Sequence, residues 1–171
     1  MNIELRPWDR TDIPSLVLYA NNRNVWNTLR NYFPHPYTQK DAIVWVRLQQ
    51  DISPVTNFSI QLDGECVGGA GISLQSDIHV KNAEIGYWLG EPFWGRGVMT
   101  EAVRLLTKYA FEHFDLLRIY AEVFSNNPGS IKVLSKNGYQ REAITLKSIF
   151  KNEQVIDGEL WAIYRHDFEW S

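Results

Sequence analysis

The run Glu84-Ile-Gly-Tyr-Trp-Leu-Gly-Glu-Pro-Phe-Trp-Gly-Arg-Gly-Val-Met-Thr-Glu101 holds the residue types and spacing best suited to chemistry. Residues 83–89 read as a strand, residues 90–97 as a turn, and the stretch from Val98 onward as a helix of about four turns. The first backbone N–H groups of a helix have no partner within it and sit at the positive end of its dipole. Glycine lets the backbone approach a ligand with no Cβ in the way. Together these features make an anion cradle, whose natural occupant is a phosphate or pyrophosphate. Two common nucleotide designs do not fit. A dinucleotide fingerprint needs a third glycine where Thr100 stands, and a P-loop needs a Gly-Lys-Ser/Thr run that the chain lacks.

Glu84 opens the strand that leads to the cradle. Alternation puts Glu84, Gly86 and Trp88 on one face and Ile85, Tyr87 and Leu89 on the other. A carboxylate there can take a proton from an amine, directly or through water, and draws a cationic amine toward it. The plainer reading is a solvated carboxylate at a strand end. His35, in the run Phe33-Pro34-His35-Pro36-Tyr37, reads as a base, a pocket wall or a surface side chain. His79, His113 and His166 show no ligand spacing, so no metal is expected. The single Cys66 lies in an apolar run and reads as a small buried hydrophobe, with no internal disulfide to form.

The elements that must position these groups follow from periodicity and punctuation. Residues 3–6 alternate like a short strand. Asp9, Thr11, Asp12 and Pro14 start a helix, and Asn21, Asn22 and Asn24 weaken it. Two prolines exclude regular helix from residues 33–37, and Thr38 caps a second helix that Ser53-Pro54 ends. Phe58, Ile60 and Leu62 alternate into an Asp63-Gly64 turn, and residues 66–72 return. Val98, Ala102, Val103, Leu106, Ala110 and Phe114 form the apolar stripe of the long helix, opposite Glu101, Arg104, Lys108 and Glu112. The strand Arg118–Phe124 comes next, then a helix with Asn127 as N-cap and Gly138 past its end, then strands at 142–149 and 158–164. A meander followed by strand–helix–strand–helix predicts an α/β (α+β) fold with a mixed sheet and helices on its faces.

Bulk properties agree with a single domain over residues 1–171, with no repeat or linker. Hydrophobic residues make up 44%, and seven Trp and eight Tyr supply either a large aromatic core or the walls of an apolar pocket. A net charge of −3 with no basic stripe argues against a nucleic-acid surface. No apolar run reaches membrane-spanning length, and the opening MNIELRPWDR lacks the basic and apolar parts of a signal peptide. A cytoplasmic location without nucleic-acid or membrane partners is the expectation.

Residues 84–101 resemble the acetyl-CoA-binding motif of the GNAT acetyltransferases. The branch of RimJ and RimL, which acetylate ribosomal-protein N-termini, is most similar. Gly86-Tyr-Trp-Leu89 and Trp94-Gly-Arg-Gly-Val-Met-Thr-Glu-Ala102 resemble its "GYWL…WGxGxxTEA" run. Asn127-Pro-Gly-Ser-Ile-Lys-Val-Leu-Ser-Lys-Asn-Gly-Tyr139 resembles its "NxxSxxVLxKxGF" block. Leu5-Arg6 with Asp12, and Asp157 before the last strand, also look familiar, so the likeness spans nearly the whole chain.

The resemblance implies a mostly antiparallel, twisted sheet with a splayed central strand pair, and acetyl-CoA as co-substrate. The amides of Gly95, Arg96, Gly97, Val98, Met99 and Thr100, next to Trp94, would hold the pyrophosphate. The strand end at Trp88 and Leu89 would pair with the pantetheine arm, and an N–H near Leu89 would polarise the acetyl carbonyl. Asn127 would bond pantetheine or a bridging water. His35, Tyr37, Asn24 and Trp26 would line the acceptor pocket, and a homodimer is compatible with the family.

Two departures stand out. Trp94 and Met99 replace the ends of the wider family's "Q/R-x-x-G-x-G/A". Leu134 occupies the place, seven residues after Asn127, where many members carry a tyrosine acid. Ser130 is the nearest polar alternative, or else a hydroxyl on a helix surface. The expected activity is acetyl transfer to a primary amine, either a protein N-terminus or a small molecule, with Glu84 and Ser130 as catalytic candidates. The rivals are a non-catalytic acyl-CoA-binding sensor or regulatory module, which the missing tyrosine motivates, and a structural domain with no ligand.

Overall fold

A computed structural model describes residues 1–170. Among them lie strands β1 (Ile3–Pro7), β2 (Asn57–Leu62), β3 (Glu65–Leu74), β4 (Asn82–Leu89), β5 (Arg118–Phe124), β6 (Gln140–Lys151) and β7 (Gln154–Tyr164). The α-helices are α1 (Ile13–Ala20), α2 (Arg23–Asn27), α3 (Gln39–Gln49), α4 (Val98–His113) and α5 (Pro128–Lys136). The strands form one sheet in the order β1-β2-β3-β4-β5-β7-β6. The pairing of β4 with β5 is parallel and three residues long, from Asn82↔Arg118 to Glu84↔Tyr120. The pairs β1–β2, β2–β3, β5–β7 and β6–β7 are antiparallel. The chain divides into two compact units, one of residues 1–71 and 87–102, the other of residues 72–86 and 103 onward.

In the first unit, Asp9 caps the turn before α1 by accepting from Thr11 N–H at 2.9 Å. Thr38 and Asp41 close a capping box at the start of α3. Trp8, Leu16, Ala20, Tyr37, Ala42, Val46 and Cys66 form the core, with Phe33, Trp45 and Trp88 packed against it. Burial pushes the Cys66 thiol up to about 12, so it is a buried hydrophobe as expected. The Arg6 and Asp12 of the sequence motif meet here. Asp12 is 3% exposed and pairs with Arg6 at 2.5 Å. It also accepts from Gln61 Nε2 at 3.2 Å and from Asp9 N–H at 2.9 Å. A buried carboxylate is costly unless paired and bonded in this way.

In the second unit, Val103, Leu106, Ala110 and Phe111 are buried along α4. Thr107 is buried among them because its hydroxyl meets that of Tyr139 at 2.8 Å. Arg165 donates to the carbonyls of Phe111, Phe114 and Leu116 at 2.7–2.9 Å, satisfying the C-terminal end of α4. Asn127 caps α5, accepting from Ser130 N–H at 3.2 Å. The strand bounds expected at 142–149 and 158–164 are corrected to a longer hairpin, Gln140–Lys151 with Gln154–Tyr164. Its register shifts between Thr145 and Ile149, and that irregularity hid the full strand from alternation. The helix α2 is also an addition. Asn22, read only as a helix weakener, begins a new helix by accepting from Asn24 and Val25 N–H.

Candidate active site

The cradle lies wholly in the first unit. Gly90 N–H donates to Val67 C=O at 2.8 Å as β4 ends. A 3-10 turn, Glu91–Phe93, comes next with Pro92 in its first positions. The Trp94 indole N–H then donates back to Leu89 C=O at 2.7 Å, which closes the turn. The family's usual residue at that position is thus replaced here by a side chain that clips the loop. Gly95 and Gly97 take φ of +72° and +83°, the left-handed region that glycine enters at least cost. The first rung of α4 runs from Glu101 N–H to Gly97 C=O at 3.1 Å, so the amides of Val98 to Thr100 precede the ladder.

Residues 94–97 are exposed, while the Val98 and Met99 side chains are buried and anchor the helix start. A Cβ built on Gly95 or Gly97 meets nothing within 4 Å beyond its own chain neighbours. Open space therefore lies beside the turn at both glycines, and amides at a helix start favour an anion. The guanidinium of Arg96 lies 5.8 Å from the Phe93 ring centroid.

The acceptor candidates of the first unit cluster around aromatic rings. Phe33 lies 5.8 Å from Trp88 on β4 and 5.2 Å from Tyr37. Tyr37, at 5% exposure, is a core side chain. Trp26 donates its indole N–H to Phe33 C=O at 2.9 Å and lies 5.6 Å from His35. The Arg23 guanidinium sits 4.4 Å from the Trp26 ring. His35 has a buried Nδ1 with no hydrogen-bond partner among the described residues.

Asn24 is engaged elsewhere, for its Nδ2 donates to Glu91 Oε1 at 2.8 Å. Asn22 Nδ2 donates to Glu91 Oε2 at 2.8 Å. These bonds, from Asn22 and then Asn24, hold the Glu91 carboxyl below its ordinary 4.5. The pairing of Asn22 with Glu91 was missed from sequence. The readable signal was the N-cap chemistry of Asn22.

The second unit carries Glu84, Asn127 and Ser130. Glu84 is half-buried on β4, opposite Tyr120. Ser130 is half-buried in the first turn of α5, and the Asn127 carbonyl is committed to its cap. Leu134 is fully buried, so the position of the family's tyrosine belongs to the core in this chain.

A short parallel ladder between β4 and β5, with an open glycine cradle where β4 leads into α4, defines the acetyltransferase class of fold. The chain belongs to that family: residues 2–140 match the acetyltransferase (GNAT) domain. The probable N-acetyltransferase YjcK of Bacillus subtilis is 42% identical over 90 residues, covering 53% of this chain and 50% of the relative. The chain therefore spans about half the length of that protein. The spermidine N(1)-acetyltransferase of Escherichia coli is 25% identical over 171 residues, covering 98% of this chain and 88% of the relative. The structure of Mycobacterium smegmatis RimJ in complex with CoA-disulfide superimposes with a TM-score of 0.85 at 23% identity, covering 99% of this chain and 85% of that one. That likeness shows the fold. No helix among the described residues is long and apolar enough to cross a membrane.

Proposed function

We propose that this protein transfers the acetyl group of acetyl-CoA to a primary amine by direct attack on the thioester. The observation that carries the reading is the open cradle at residues 94–100, with left-handed Gly95 and Gly97 and amides ahead of the first helical rung. Those amides hold the CoA pyrophosphate, and the β4 end at Trp88 and Leu89 takes the pantetheine arm, with Asn127 as a further partner. Glu84 takes the proton from the amine, directly or through one water. The amine nitrogen attacks the carbonyl carbon, an N–H near Leu89 stabilises the oxyanion, and the CoA thiolate leaves. Ser130 is the group assigned to the thiolate, since Leu134 offers no proton.

The acceptor is a primary amine. The spermidine enzyme among the relatives supports a polyamine, and a protein N-terminus is the alternative acceptor. His35 and Trp26 belong to its pocket, while Tyr37 supports it from the core and Asn24 acts through Glu91. A cytoplasmic enzyme is the setting that this reading implies, and a homodimer is compatible with it.

The test is thiol release from acetyl-CoA with a panel that includes spermidine and a serine-ended peptide. Glu84→Gln is expected to keep acetyl-CoA affinity and lose about 100- to 10,000-fold in kcat. Tight CoA binding with no turnover on any amine would favour a regulatory acyl-CoA module instead, the reading to which the buried Leu134 lends weight.

A further inference from the structure

The turn that carries the cradle is fastened to the preceding helices of the first unit by contacts that the acetyl-transfer chemistry does not use. Glu91 opens the turn and receives Asn22 Nδ2 on one carboxylate oxygen and Asn24 Nδ2 on the other, each at 2.8 Å. Asn22 directs its Oδ1 at the N–H groups of Asn24 and Val25, at 2.8 and 3.2 Å. One side chain therefore both starts α2 and grips the turn. Tyr19, near the end of α1, meets the Phe93 ring edge-on at 5.0 Å. A Cβ on Gly90 would come within 3.0 Å of Tyr19, so the turn lies directly on that ring. Further along, Phe33 packs 5.8 Å from Trp88 on the strand that feeds the turn. Residues 19–33 are thus docked at the strand end and at the turn. Two donors converge on residue 91, and a carboxylate answers both because it only accepts. A carboxamide there would aim its NH₂ at one of them.

We propose that Glu91 is a positioning residue that holds residues 22–35 in register with the cradle turn, so that ordering the turn by acetyl-CoA also orders the acceptor segment. The coupling presupposes that acetyl-CoA is the ligand of the cradle. Linkage makes it reciprocal: a segment that undocks weakens acetyl-CoA binding by the factor with which acetyl-CoA suppresses undocking.

Limited trypsinolysis reads the segment directly. Arg23 and Arg30 lie within it, and cleavage there requires local opening. Calorimetry on the same proteins reads the acetyl-CoA Kd. In the unmodified protein, acetyl-CoA is expected to slow cleavage after Arg23 and Arg30. Glu91→Gln should speed that cleavage and raise the acetyl-CoA Kd about three- to ten-fold. The double variant Glu91→Gln with Asn24→Asp should return both readouts toward the original. The new amide then accepts from Asn22 and donates to the carboxylate at position 24, a rescue that a general loss of stability would not give.

Asn24→Ala removes one partner from an exposed position and shifts both readouts the same way, which keeps the test intact if Glu91→Gln does not fold. A raised Kd with unchanged cleavage, or faster cleavage with an unchanged Kd, overturns the coupling. Should the unmodified protein bind no acetyl-CoA, the functional reading fails and the coupling with it. Normal acetyl-CoA binding without protection of Arg23 and Arg30 defeats the coupling alone.

Discussion

Gly97 shows how one residue can serve the fold and the ligand for different reasons. Its φ of +83° strains any side chain with a Cβ, yet a Cβ there meets nothing within 4 Å beyond its own chain neighbours. Stability and binding can therefore be separated. Gly97→Val should lose about 1 kcal/mol or more of stability, because a β-branched residue resists the left-handed region. Gly97→Asn tolerates that region better and should fold closer to the original. Both place a Cβ in the open space beside the turn, and both should weaken acetyl-CoA binding in calorimetry. Unchanged affinity in a folded Gly97→Asn protein would put the pyrophosphate elsewhere. At this scale the turn glycines were legible because their type and spacing carry the signal locally. Glu91 was not, because its partners lie 67 and 69 residues away in the chain.

At the scale of elements, β5 and the hairpin strand β6 are tied by Arg118 and Glu142, two groups 24 residues apart. The Arg118 guanidinium bonds both carboxylate oxygens and holds Glu142 below its ordinary 4.5, with the Tyr164 hydroxyl adding a further bond. A folded value below the unfolded one means that the ionised form is preferred in the folded protein. The pair's contribution is therefore complete above about 4.5 and is lost as pH falls through the depressed folded value. Urea midpoints should show it: Glu142→Gln is less stable than the original near neutral pH, and the gap closes below about 4.5. A gap that persists undiminished in acid would assign the loss to packing. Helix starts were readable from Asp9, Thr38 and Asn127, since capping is a contact over two or three residues. The extent of the β6–β7 hairpin was not, because its register shift breaks alternation.

For the molecule as a whole, ligand linkage supplies the broadest test. A ligand that binds only the native state stabilises it by about 2.7 kcal/mol at a hundredfold excess over Kd. For a chain of 171 residues that corresponds to a Tm rise of about 5–10 °C with acetyl-CoA. No rise at millimolar acetyl-CoA would leave a domain without that ligand. The amino-acid sequence by itself determined the order of the main elements, the strand–turn–helix cradle and the family likeness, because apolar periodicity, caps and glycines act between near neighbours. The tertiary structure alone decided that Asp12 is buried against Arg6 and Gln61, and that Trp94 clips the cradle turn onto Leu89. It alone decided that Glu91 answers two asparagines from a helix the pattern did not announce. Those facts depend on which distant side chains fill one another's hydrogen-bonding needs, and that is settled only when the chain packs.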